Sequence, residues 1–137
     1  FSEENIEDQL LNTPLDKISR WNKENIGNFG KENKFYINII DASILKKEIE
    51  NIDAKKYEEK TVFKYEVFYL VEYQLYNDND YLLANTTVET SRSTTSQKYI
   101  SLSETDLITA NLVNEALIDF TIETKSMLEI YMSEYLQ

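Results

Sequence analysis

The stretch from Val62 to Tyr76 alternates apolar or aromatic residues with more polar ones over most of its length. This period of two is typical of a β-strand with one buried face and one wetter face. The stretch contains no Gly or Pro and is rich in β-branched and aromatic residues, which favours a strand further. At about 3.3 Å per residue it would extend for roughly 50 Å. The positions predicted to face the core are Phe63, Tyr65, Val67, Tyr69, Val71, Tyr73 and Leu75.

A turn and a return strand follow this long strand. The tetrad Asn77–Asp80 consists of strong turn formers, so we predict a hairpin whose second strand runs from Tyr81 to Ser93. Leu82, Ala84 and Val88 are expected on one face of it, with Leu83 opposite. The tetrad also resembles part of a calcium loop, but that motif requires Gly at its sixth position and Glu at its twelfth. Leu82 and Val88 occupy those positions, so a plain turn without metal is favoured.

The first half of the chain predicts a helix and a shorter strand. Residues 1–12 read as a flexible acidic lead-in, and Thr13 followed by Pro14 is typical of a helix start, with Trp21 as its core anchor. A strand is expected over residues 34–41 and past a kink to Ile49. The alternating charges of residues 46–60 indicate a solvated loop or edge.

A long helix is predicted at the C-terminal end. Ser101 with Glu104, or Ser103 with Asp106, has the spacing of a capping box, and residues 104–135 contain no Gly or Pro. About 30 helical residues would extend for about 45 Å, which matches the long strand. The expected core stripe is Leu107, Ala110, Val113, Leu117, Phe120, Met127, Leu128, Tyr131 and Tyr135.

Together these elements predict an α+β fold. We expect a two-layer sandwich in which a small antiparallel sheet, built on a long β-hairpin, is covered by an N-terminal helix and a long C-terminal helix. Residues 13–137 would form a single domain. Ile118 and Ile122 fall off the main stripe of the last helix, so they either contact the first helix or form an exposed interaction strip.

Composition narrows the function classes. The formal net charge of −11 disfavours binding to nucleic acid or anionic lipid. The absence of Cys and His excludes thiolate chemistry, the common zinc sites and His-based catalysis within the chain. With only two Gly residues, a phosphate-binding Gly loop is not expected either. Glu66 and Glu72 would lie about 20 Å apart on one strand, whereas paired catalytic carboxylates need roughly 5–10 Å. We therefore expect neither an enzyme nor a cofactor.

Two features are candidates for binding. Ten Tyr residues are many for 137 residues, and Tyr is favoured in interfaces because it joins apolar area to a polar tip. Tyr65, Tyr69 and Tyr73 are more simply explained as core residues. Arg92 is the single basic residue in a Thr/Ser-rich stretch, and it would bind either an anionic partner or, more commonly, a nearby surface carboxylate.

Three segments carry a family resemblance. Leu15–Trp21 precedes a strand with the step Asp41-Ala42-Ser43, and Val88–Ser93 precedes an acid-capped terminal helix. Over roughly residues 13–136 this order resembles a family of small uncharacterised alphaproteobacterial proteins, usually exported and often lipoproteins. In that family a helix with Trp, a strand ending in the Asp-Ala-Ser-like step and an Arg-Ser turn recur. In outline the layout is also similar to the lipopolysaccharide-assembly lipoprotein fold, a likeness of fold only.

The resemblance implies a periplasmic location in the bacterial envelope, with a lipid anchor on a Cys upstream of Phe1. Because the chain starts at Phe1 rather than Met, we interpret it as a fragment of a longer polypeptide. The expected function is a non-enzymatic binding or assembly module with a protein partner in the envelope, and Arg92, Ile118 and Ile122 are its candidate binding residues. The alternative is a carrier that holds a small apolar ligand or lipid between the sheet and the long helix.

Overall fold

A computed structural model describes residues 3–6, 13–25, 33–52 and 60–132. Helices and strands occur in the order strand, helix, three strands, helix. They are β1 (Glu3–Asn5), α1 (Pro14–Asn25), β2 (Lys34–Glu50), β3 (Thr61–Tyr76), β4 (Leu82–Ser96) and α2 (Leu102–Met132). The predicted α+β class is therefore confirmed.

The strands form one antiparallel sheet in the order β1-β2-β3-β4, so each strand pairs with its neighbour in the chain. The predicted long strand is β3, and it pairs with β2 on one side and β4 on the other. Its odd-numbered residues from Tyr65 to Leu75 are almost completely buried, as the alternation predicted. This row of Tyr, Val and Leu forms the sheet's contribution to the core.

Two β-bulges shift the register of the sheet. In β2 the pairing jumps between Ile39 and Asp41, near the predicted kink. In the hairpin, Leu75 pairs with Ala84 but Tyr76 pairs with Leu82, which leaves Leu83 as the extra residue. The expectation that Leu82 shares a face with Ala84 is therefore wrong, because a bulge reverses the alternation. Leu83 packs against the core instead, and Leu82 is half exposed.

Helix α2 packs over β4 and β3, and α1 lies beside it over β2. The predicted stripe of α2 is only partly correct, since Leu107 and Tyr131 are exposed and Ala110 is also on the surface. The buried row includes two threonines, which a hydrophobic pattern does not reveal. It consists of Thr109, Leu112, Val113, Ala116, Phe120, Thr124, Leu128 and Met132, and the predicted Tyr135 lies outside the described residues.

The helix starts and the turn follow their predicted chemistry. The Thr13 side chain accepts a hydrogen bond from the Asp16 N–H at 3.1 Å, and Ser101 accepts one from the Glu104 N–H at 3.1 Å. Of the two candidate N-caps of α2, Ser101 is therefore the one that caps the helix. In the hairpin turn, Asp80 has a φ of 62°, a conformation that Asp tolerates better than most residues.

Three expectations about boundaries differ from the structure. Residues 46–50 belong to β2, which confirms the expected extension of the strand to Ile49 and excludes the loop alternative for them, and residues 53–59 lie outside the described part. Within the expected lead-in, Glu3–Asn5 pair with β2 and Ile6 is buried in the core. The Asp41-Ala42-Ser43 step lies inside β2, and the Arg92-Ser93 step lies inside β4 instead of forming a turn.

Candidate interaction surface

The two faces of the sheet have different surroundings. One face carries the odd-numbered side chains of β3 and packs against α1 and α2. The other, here called the open face, carries the even-numbered side chains from Val62 to Tyr76, which are all half-buried. No helix among the described residues contributes to a core on this face. The open face is therefore a broad sheet surface that no described helix covers.

The hairpin end of the open face carries an aromatic group. We define the tyrosine patch as Tyr36, Tyr76 and Leu82, which the strand pairing places on the open face, together with Tyr81 in the adjoining turn. Tyr36 packs edge-to-face on Tyr76 with ring centroids 5.4 Å apart. Tyr36 is nevertheless 52% exposed and Tyr81 is 69% exposed. A surface hollow of about 310 Å³ lies beside them, lined by Tyr36, Gln74, Tyr76 and Asp80.

Polar contacts hold the turn beneath this patch in place. The Asn77 side chain accepts hydrogen bonds from the N–H groups of Asn79 and Tyr81 at 2.9 and 3.0 Å. The Lys34 ammonium donates to the Asp80 carboxylate at 2.7 Å, which ties the turn to the start of β2. This hydrogen bond and the charge of Asp80 raise the pKa of Lys34 above its ordinary value. The patch therefore rests on a turn that is fixed from both sides.

The carboxylates of the open face are dispersed. Glu66 lies opposite Ser93, Glu72 lies opposite Thr87 and Glu89 lies opposite Leu70, so Glu66 and Glu89 are not cross-strand neighbours. Among the described residues no group of three or more acidic side chains could hold a metal ion. A second, smaller hollow of about 160 Å³ lies near the other end of the face, lined by Leu45, Lys47, Ile49, Lys64 and Glu66. Glu66, Glu72 and Glu89 are thus not paired with one another across the two strands.

Arg92 pairs with surface carboxylates, the commoner of the two expected outcomes. Its Nε lies 3.0 Å from Glu115 Oε2, and its Nη1 donates to both oxygens of Asp119 at 3.0 and 3.2 Å. The hydrogen bond to Asp119, with the charges of both acids, raises the pKa of Arg92. Because Arg92 is on β4 and both acids are on α2, this contact joins the helix to the sheet edge.

Ile118 and Ile122 lie one turn apart on the outer side of α2. They are 57% and 64% exposed, so the exposed alternative holds rather than a packed contact with α1. Arg92 approaches the same helix through Asp119, the residue after Ile118. Arg92 thus reaches α2 at Glu115 and Asp119, in the same middle part of the helix that carries Ile118 and Ile122.

Aromatic side chains fill the space between the sheet and α2. The ring of Phe120 packs against Tyr69 at 5.2 Å and against Trp21 at 6.1 Å between centroids. The Tyr73 hydroxyl donates to Asn22 Oδ1 at 2.7 Å, and burial raises the pKa values of Tyr69 and Tyr73. Tyr65, Tyr69 and Tyr73 are thus core residues, as expected. The rings of Phe120, Tyr69 and Trp21 therefore occupy this part of the space between the sheet and the two helices.

Comparison with protein-family models, curated proteins and solved structures finds no match. No helix in the described residues is both long and apolar enough to cross a membrane. The sequence pattern indicated a tyrosine-rich hairpin, but it did not separate the exposed tyrosines from the buried ones near the turn. The position of Tyr36 beside Tyr76 depends on the register of β2 against β3, which the sequence does not reveal.

Proposed function

We propose that this chain is a non-enzymatic protein-binding module of the bacterial cell envelope, and that it contacts its partner through the tyrosine patch. The observation that carries the proposal is the exposure of Tyr36 on the open face and of Tyr81 in a turn that is held by hydrogen bonds to Asn77. Exposed aromatic side chains on a fixed backbone lose little conformational entropy on binding, and Tyr is enriched at interface hot spots.

Charge suggests the character of the partner surface. The chain carries −11, and the rows of the open face next to the patch contain Glu72 and Glu89. The cation nearest to the patch, Lys34, is paired with Asp80. A partner with an apolar centre and a basic rim would complement this arrangement, because complementary charge speeds association and excludes wrong partners.

The envelope location is an inference from the family resemblance of residues 13–136. Fractionation of cells that express the natural gene tests it directly. Recovery in the periplasm or in the membrane fraction would support the location, and recovery in the cytosol would contradict it.

Site-specific photo-crosslinking tests the contact surface. A photoreactive phenylalanine analogue replaces Tyr36 in one variant and Tyr99 in a matched control, since Tyr99 is also highly exposed, at 82%, but lies beyond the far end of β4. We expect one discrete protein adduct from position 36 and none of the same mass from position 99. The captured protein is then purified and its direct, saturable binding is measured.

Two results would contradict the proposal. One is equal capture at both positions, which indicates contact by diffusion alone. The other is saturable binding of the captured protein that is unchanged when Tyr36 and Tyr81 are both replaced by Ser.

A further inference from the structure

We infer that the outer edge of β4 binds an extended, basic polypeptide segment, which adds to the sheet as a fifth strand. This inference concerns a different surface from the tyrosine patch and a different class of contact, so it goes beyond the proposed function. It depends on the pairing of β4, on its composition and on the charges of α2 beside it.

The edge of β4 is long and regular. Among the described strands β4 pairs only with β3, and the register from Ala84 to Ser96 continues without a break. Within the described residues no backbone hydrogen bond joins its outer side to another element. An antiparallel strand with one neighbour directs alternate N–H and C=O groups outward, where they can pair with another strand.

This part of β4 carries little of the usual protection of an edge strand. Edge strands commonly carry charged side chains, especially Lys, or Pro or a bulge that prevents further pairing. Residues 84–96 contain neither Lys nor Pro, and the bulge at Leu83 lies next to the turn. Their charged residues are Glu89 and Arg92, and Arg92 is paired with carboxylates of α2. At the opposite edge of the sheet, β1 covers part of β2 and the bulge near Ile40 interrupts the remainder. The β4 edge is therefore the better acceptor for a strand.

The charges near β4 indicate what kind of strand would bind. Arg92 contributes one positive charge against the two carboxylates of Glu115 and Asp119, which leaves that cluster at −1. Glu123, four residues further along α2, is exposed, as is Glu89 on the open face. A strand added about 4.8 Å beyond β4 would place its side chains near these acids, on both faces of the sheet.

The same charges argue against a second copy of this chain as the occupant. Pairing of two β4 edges would bring two acidic α2 flanks together in chains that each carry −11. Lys or Arg side chains that alternate with β-branched residues would satisfy both the backbone edge and the acids. The occupant we infer is accordingly a segment of another protein with that alternation.

The test uses a labelled peptide of about ten residues in which Lys and Val alternate, a usual strand length. Binding is followed by fluorescence anisotropy at low and moderate salt, and amide hydrogen exchange locates the contact. We expect saturable, salt-sensitive binding that slows exchange in residues 85–96 and leaves residues 34–43 unchanged. A peptide of the same composition with N-methylated Val residues keeps the charge but loses main-chain donors, and it should not slow that exchange.

Protein variants separate strand addition from general attraction between charges. Glu123→Lys and Glu89→Lys should each weaken binding about two- to five-fold. The control Glu129→Lys makes the same charge change at an exposed position on the solvent side of α2, and it should have a smaller effect. Thermal melts of each variant confirm that it is folded.

Several outcomes would overturn the inference. One is that the peptide does not bind at millimolar concentration, and another is that it binds without slowing amide exchange in β4. The others are that the N-methylated peptide binds as tightly as the unmodified one, or that Glu129→Lys weakens binding as much as Glu123→Lys and Glu89→Lys do. Protection of the β4 amides in a dimer without peptide would assign the edge to a second copy instead. None of these outcomes bears on photo-crosslinking at Tyr36, so failure here is distinguishable from failure of the proposed function.

Discussion

Phe120 connects the three parts of the core, and its replacement by Ala is the sharpest test of how this fold is held together. Its side chain is fully buried, and its ring contacts Trp21 of α1 and Tyr69 of β3. Truncation of a buried Phe to Ala typically costs about 3–5 kcal/mol, from lost transfer free energy and the cavity that remains. The loss of two aromatic contacts places Phe120→Ala towards the upper part of that range.

Such a loss is large relative to the total stability of about 5–15 kcal/mol that is usual for a domain. Urea unfolding measures it, and the single Trp of the chain, Trp21, reports on the contact itself. The matched control is Ile118→Ala, which removes an exposed side chain of the same helix and should change the unfolding free energy by less than about 0.5 kcal/mol. A loss below about 1 kcal/mol for Phe120→Ala would refute the proposed packing of α2 on the sheet.

Three further predictions concern buried hydroxyls, pH and salt. Tyr73→Phe should lower the unfolding free energy in urea by about 1 kcal/mol, because it removes the hydrogen bond that the Tyr73 hydroxyl donates to Asn22 Oδ1. Tyr69→Phe should be neutral or stabilising, since the buried Tyr69 hydroxyl has no hydrogen-bond partner among the described residues. Burial raises the pKa values of both tyrosines, so as the pH rises the two hydroxyls lose their protons in the unfolded chain before they do so in the folded protein. The unfolding free energy should therefore fall as the pH rises above about 10. An unfolding free energy that stays constant from about pH 9 to 11 would contradict this. Arg92→Ala should lower the melting temperature more at low salt than at about 0.5 M NaCl, because its ion pairs with α2 are solvent-exposed; an effect independent of salt would contradict this.

The fold was predictable from the sequence where one physical signal dominated. The alternation along β3 defined its buried face, Thr13 marked the start of α1, and the capping-box pattern limited the start of α2 to Ser101 or Ser103. These signals are local, because side-chain direction in a strand and the unpaired N–H groups of a first helical turn depend on adjacent residues.

The parts that could not be predicted depend on distant contacts. The buried row of α2 includes Thr124, whose position under the sheet follows from how the helix crosses β3 and β4 and not from hydrophobicity. The bulge at Leu83 exchanged the faces of Leu82 and Leu83. For the candidate site, composition indicated the importance of Tyr, but only the register showed that Tyr36 is next to Tyr76.

The most direct test of the central claim is calorimetric titration of the partner captured at position 36 with the wild-type protein, Tyr36→Ala and Tyr99→Ala. If the tyrosine patch is the contact surface, Tyr36→Ala should weaken binding by about 2 kcal/mol, roughly 30-fold, as expected of an aromatic hot spot, while Tyr99→Ala should bind like the wild type. Equal affinities for all three proteins would contradict the claim that this chain acts through the exposed tyrosines of its hairpin.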